Sequence, residues 1–138
     1  MPYMIVLLIG LSISFASPQG KSYDAKLWRG GTLDPDVVKV SGQSLRWEHA
    51  KSSAITLPFE RPQDWSGFSA FSFWMHSQKA TDSAFMFIVS SENDKTDGSD
   101  YYFLRIKLDW TGWRHFLVPF REMGIARDPV GWHKIDGA

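Results

Sequence analysis

Four histidines, His49, His76, His115 and His133, are the side chains of this 138-residue chain best suited to moving a proton near neutral pH. Taking a proton from a carbon next to a carboxylate needs such a base, with an Arg or a similar group to neutralise the carboxylate. His76, Tyr101 and Arg105 have the right chemistry for that task. Nothing in their spacing requires them to meet, and a lone strand histidine is more often packed or solvated. No catalytic residue is assigned. The chain has no cysteine, so thiol catalysis, disulfides and cysteine-based zinc sites are excluded.

Aromatic side chains offer a second chemistry. They make up 15% of the residues and include seven Trp. A flat indole face suits the C–H side of a sugar ring, and an Arg fork pairs a carboxylate or sulfate through two hydrogen bonds. Alternation along "FSAFSFWMHS" puts Phe71, Phe73 and Met75 on one face and Trp74 and His76 on the other. Along "YYFLRIKLDW" it puts Tyr102, Leu104, Ile106 and Leu108 on one face, with Tyr101, Phe103, Arg105 and Lys107 opposite. If the two strands adjoin, Trp74, His76, Tyr101, Phe103, Arg105 and Lys107 form one patch of rings and cations able to bind a polysaccharide, an acidic one included. The alternative is a solvated sheet face, or a face packed on another domain. In "DWTGWRHFLVPF", Arg114 points away from its neighbour Trp113 and is a weaker ligand candidate; a strand-end ion pair with Asp109 serves equally well. Trp65, Trp110 and Trp132 sit in glycine-containing turns and are expected to plug the ends of a β-sandwich.

A third chemistry is metal binding. "ENDKTDGSD" carries Glu92, Asp94, Asp97 and Asp100, hard oxygen donors of the kind calcium takes. The EF-hand spacing is absent, and a solvated acidic hairpin explains the same residues. Such a loop repels polyanions.

These side chains must be positioned by strands. Short apolar runs, including Val37–Val40, 52–62, 83–91 and 101–110, recur at roughly ten-residue spacing between turn signals, the pattern of an all-β sandwich. The run 83–91 reads as a central strand buried on both faces, 52–62 as a strand ended by Pro58 and Pro62, and 120–125 as one short helical turn. Lys+Arg equals Asp+Glu, so the net charge is zero and the electrostatic footprint of a nucleic-acid binder is missing. The first twenty residues, "MPYMIVLLIGLSISFASPQG", read as a leader. Their apolar run is shorter than the roughly 20 residues of a spanning helix, and Ser14 and Ala16 suit a signal peptidase. A signal peptide over 1–16 and a single β domain over 17–138 are expected, secreted or periplasmic, with no membrane segment after cleavage.

"GQSLRWEH", "DWSGFSAFSFWMHS", "YYFLRIKLDWTGWRHFLVPF" and "DPVGWHKID" occur in an order that resembles galactose-binding-like β-jelly-roll modules. They resemble in particular the N-terminal non-catalytic domains of secreted polysaccharide lyases, of the chondroitin ABC lyase and heparinase II/III types. The resemblance covers about residues 27 to 137. It implies a two-sheet antiparallel jelly-roll sandwich, incomplete here at the last strand. It implies a carbohydrate-binding role beside a C-terminal catalytic domain that this sequence lacks, or a structural domain that docks on that partner without binding sugar. Modules of this type carry a structural calcium near the first and last strands, for which Asp136 is the weak candidate ligand.

Overall fold

The computed structural model describes residues 4–14 as backbone and residues 22–39 and 42–138 in full. Ten strands form two five-stranded antiparallel sheets. They are β1 (Met4–Ser14), β2 (Thr32–Asp34), β3 (Ser44–Glu48), β4 (Pro58–Gln63), β5 (Ala70–Ser77), β6 (Ala84–Ser90), β7 (Tyr101–Lys107), β8 (Gly112–Pro119), β9 (Gly124–Ala126) and β10 (Ile135–Gly137). One sheet runs β2-β3-β1-β5-β8 and the other β4-β10-β6-β7-β9. The architecture is the expected all-β jelly-roll sandwich. Among the described residues its helical pieces are two 3-10 turns, one of them at Phe120–Glu122 where a helical turn is expected. Among the described residues no helix is long and apolar enough to cross a membrane.

The alternation of apolar residues decides which faces meet. Phe71, Phe73 and Met75 of β5, with Leu45 and Trp47 of β3, point inward and meet Phe87 and Val89 of β6. The rings of Phe71 and Phe73 lie 5.3 and 5.4 Å from that of Phe87, joining the sheets. Burying rings of this size is the main source of stability in a domain with no disulfide.

The turn tryptophans close the ends of the core, as expected. Trp65 is fully buried and its indole N–H donates to the Tyr23 hydroxyl at 2.9 Å. Trp132 is stacked between Tyr102 and Phe120, with centroids 4.1 and 3.9 Å away. The Trp110 N–H donates to the Gly112 carbonyl at 3.0 Å. Gly112 has φ of 86°, a conformation that glycine adopts without strain.

Three local expectations need correction. Val37–Lys39 is loop, because the Asp34 carboxylate accepts from the N–H groups of Asp36 and Val37 and closes a turn after Pro35; Val40 lies outside the described residues. Pro58 opens β4 rather than ending the strand before it, and Pro62 lies within β4. Both are tolerated because β4 is an edge strand, where a missing N–H costs no ladder bond. β6 is buried on one face only: Phe87 and Val89 are inside, whereas Met86 is 42% exposed. The expected leader supplies β1, which pairs with β3 over Met4–Leu7 and with β5 over Ile5–Leu8 and Ser12–Ser14, with a register shift between. The expected cleavage point after Ala16 lies outside the described residues.

Candidate functional site

The outer face of the sheet containing β5 and β8 gathers rings and polar groups from both strands. β5 and β8 pair in uninterrupted antiparallel register, which sets Trp74 opposite His115 and His76 opposite Trp113. Each strand therefore contributes one indole and one imidazole to the same face, arranged crosswise. The Trp74 and His115 rings are 4.8 Å apart, and those of His76 and Trp113 4.9 Å apart. The Ser72 hydroxyl lies 2.7 Å from His115 Nε2, fixing that ring from below.

Two cations border the face. The Lys39 ammonium sits 4.6 Å from the centre of the Trp74 ring. Arg46 of β3 shares a row with His76, because both pair with Val6 of β1. Arg46 Nε is 3.6 Å from the Asp34 carboxylate. The Asp36 N–H holds that carboxyl below the usual carboxylate range, with help from the Val37 N–H and the Arg46 charge and against partial desolvation. Burial lowers the pKa of His76, so its ring is neutral near pH 7. His76 Nδ1 is buried and has no hydrogen-bond partner among the described residues. The face thus offers two indoles for stacking, two imidazoles and a hydroxyl for hydrogen bonds, and two cations.

The expected patch is divided between the two sides of the molecule. Trp74 and His76 belong to one sheet. Tyr101, Phe103, Arg105 and Lys107 belong to β7, in the other sheet, and point outward on the far side. Face alternation was readable along each strand; the assignment of strands to sheets was not. On the far side Tyr101 and Phe103 have ring centres 6.2 Å apart. Phe103 packs under Gly124 so closely that a side chain at 124 has no room. Lys107 pairs with Asp82 at 3.0 Å, and Arg105 lies exposed opposite Met86. The same division keeps His76 away from Tyr101 and Arg105, so those three do not form a proton-abstracting centre.

Arg114 makes the strand-end ion pair, 2.8 Å from Asp109, and lies 4.5 Å from the centre of the Trp110 ring. It caps the sandwich end and stands apart from Trp74. Trp113, His115, Ser72, Lys39 and Arg46 are the face residues that sequence reasoning missed. Alternation within "GWRHFLVPF" places Trp113 and His115 together; their meeting with Trp74 and His76 depends on strand pairing alone.

The acidic loop is tied up internally. The Asp100 carboxylate accepts from the Thr96 hydroxyl at 2.5 Å and from the N–H groups of Asn93 and Asp128. Asp136 accepts from the Lys134 ammonium and from the Glu92 N–H. An ammonium beside Asp136 fits a calcium ligand poorly, since it already supplies the positive charge. Among the described residues no cluster of three or more His, Cys, Asp or Glu is placed to hold a metal.

No curated protein and no solved structure matches the chain. The family model of a carbohydrate binding domain (family 11) matches residues 18–130, most of the sequence. A carbohydrate-binding module is non-catalytic by itself. The chain belongs to the family 11 carbohydrate binding domains.

Proposed function

We propose that the chain is the non-catalytic carbohydrate-binding module of an exported polysaccharide-degrading enzyme, a lyase, and that it holds its glycan on the outer face built by β5 and β8. The observation that carries this reading is the crossed pair of indole–imidazole contacts, Trp74 with His115 and His76 with Trp113. Two half-buried tryptophans on the outer face of adjacent strands give successive sugar rings two stacking surfaces. The intervening imidazoles and Ser72 supply donors and acceptors for hydroxyl groups. Lys39 and Arg46 at the border suit a uronate-containing chain. Binding by one such face is weak, and attachment to a catalytic domain raises its effective strength.

Affinity electrophoresis of the full chain tests the reading. Gels containing chondroitin, heparin, alginate, pectin or a neutral glucan are compared with a gel lacking glycan. Retardation is expected in at least one, lost with Trp74→Ala or Trp113→Ala and kept with Arg105→Ala. Loss with Arg105→Ala and retention with Trp74→Ala would move the site to the β7 face.

A further inference from the structure

Arg46 differs from Arg114 and Arg127 in what it spends on the fold. Arg114 donates to the Asp109 carboxylate, and Arg127 donates to the Asp97 carbonyl. Arg46 Nε lies 3.6 Å from the Asp34 carboxylate and has no hydrogen-bond partner among the described residues. At that distance Asp34 holds the guanidinium by charge without taking a hydrogen bond. The Arg46 side chain is still 34% exposed, so a ligand can reach it. A guanidinium held at its Nε edge keeps its two terminal nitrogens for another group.

The anchor behind it is fixed. Asp34 pairs with Ser44 across β2 and β3, two positions along from the Thr32–Arg46 pair and therefore on the same outer face. Both residues are buried there, under the turn that follows Asp34. Asp34 Oδ1 accepts from the Asp36 and Val37 N–H groups at 2.9 and 3.2 Å, and the Ser44 hydroxyl donates to the Val37 carbonyl at 2.7 Å. The turn occupies Oδ1, and Oδ2 is left for Arg46. The same turn leads on to Lys39, over Trp74.

The two cations are not equivalent. Lys39 is a point charge on a flexible stem, and it attracts an anion from any direction. Arg46 carries a planar fork that matches a carboxylate with two parallel hydrogen bonds. Arg46 pairs with Val6, Val6 with His76 and His76 with Trp113, so Arg46 and Trp113 lie in one row across the sheet. Only β1 separates Arg46 from His76, a span of two strand spacings or about 10 Å. A uronate lying on the face beside Trp113 can turn its carboxylate along this row. The fork it meets is already anchored, so little side-chain freedom is lost on pairing.

We propose that Arg46 is the residue by which this face selects acidic glycans. Its terminal nitrogens pair a uronate carboxylate through two hydrogen bonds, and Asp34 is the positioning residue behind it. Lys39 adds an undirected attraction. The inference rests on the glycan reading of the β5–β8 face.

The test removes the charge of a polymer and keeps its sugar rings. Affinity gels contain polygalacturonate, alginate or unsulfated chondroitin, each run beside the same polymer with its carboxyl groups converted to methyl esters. None carries sulfate, so the carboxylate is the only anion. The readout is the ratio of ester to acid concentration that gives equal retardation of the full chain. Partial unfolding of a variant lowers retardation in both gels and leaves this ratio unchanged.

The parent should prefer at least one acid form by about tenfold, the scale of charge-assisted hydrogen bonds at a partly exposed site. Arg46→Lys keeps the positive charge, and with it the undirected attraction to a polyanion, but has no fork. Its ratio should fall most of the way to one. Lys39→Ala should keep a higher ratio than Arg46→Lys, and the reverse order overturns the proposal. A parental ratio in Arg46→Lys also overturns it, because charge alone would then suffice. Equal retardation of the parent by acid and ester overturns it and leaves the glycan reading standing. No retardation of the parent in any of these gels or in a neutral glucan overturns both.

Discussion

The Lys39 ammonium lies over the Trp74 indole, 4.6 Å from its centre, and thus covers one of the two indoles on the β5–β8 face proposed to bind sugar. An exposed cation–π contact of this kind contributes about 0.5–1 kcal/mol, little enough for a ligand to displace. Two ligand classes should respond to Lys39→Ala in opposite directions. A uronate pairs its carboxylate with the ammonium while its ring uses the indole, so retardation in an alginate or pectin gel should weaken. A neutral glucan gains an unobstructed indole, so its retardation should hold or strengthen. Running the variant in both gels reads the charge preference directly.

Trp132 tests the structural role of the turn tryptophans against the binding role of the face tryptophans. It is stacked on both sides, between Tyr102 and Phe120. Trp132→Ala removes the filling of a three-ring stack and should cost about 3–5 kcal/mol, the usual range for truncating a packed large aromatic. Trp74→Ala lies on an outer face and should change stability far less. Urea unfolding of the two variants should separate them clearly, with the midpoint falling for Trp132→Ala and nearly unchanged for Trp74→Ala.

The N-terminal segment carries a more pointed prediction. β1 lies between β3 and β5, and it alone connects them within that sheet. Cleavage after Ala16 would take this strand away, leaving the inner edges of β3 and β5 with unsatisfied backbone groups. A chain beginning at residue 17 should therefore melt several degrees below the full chain, since each ~1 kcal/mol lost shifts the midpoint of a domain this size by about 4 °C. Equal melting temperatures would show that β1 adds nothing to the sheet. The mass of the chain recovered from an expressing host independently reads whether cleavage occurs.

How much of this was open to sequence reasoning depends on the range of each interaction. Alternation is local, so the inward set Phe71, Phe73 and Met75 and the outward pair Trp74 and His76 could be read from one strand. So could the plugging role of Trp65, Trp110 and Trp132, from glycines beside each in turns. Sheet membership is not local. β5 and β7 carry equally plausible outward rings, and only pairing across the fold separates them, β5 with β8 and β7 with β6 and β9. The expected residues therefore fall on two sheets rather than in one patch, and the crossed contacts with Trp113 and His115 were missed for the same reason. Lys39 escaped notice because Val37–Val40 has β-branched composition, yet the Asp34 carboxylate turns the chain there. β6 misled in another way. Its unbroken apolar run suggests burial on both faces, whereas the structure buries one face only.

Asp100 gives a prediction whose sign can be worked out. It is buried, and its carboxyl lies below the usual carboxylate range. The Thr96 hydroxyl is the main cause, aided by the Asp128 and Asn93 N–H groups and the Arg127 charge, against desolvation. A folded-state pKa below the unfolded value of about 3.9 means that the folded state favours the charged form. The stability this contributes is fully present above the unfolded pKa and disappears as pH falls through the folded one. Asp100→Asn keeps the shape but loses one acceptor oxygen, along with the charge that the Asn93 and Asp128 amides face. The variant should melt below the parent near neutral pH. The difference should narrow once pH drops below about 4 and vanish when the parent carboxyl is protonated. A difference independent of pH would assign the role of Asp100 to packing alone. One that closes with acid identifies the carboxylate as the link that ties residues 93–96 to Asp128 and keeps both loops fixed at that end of the sandwich.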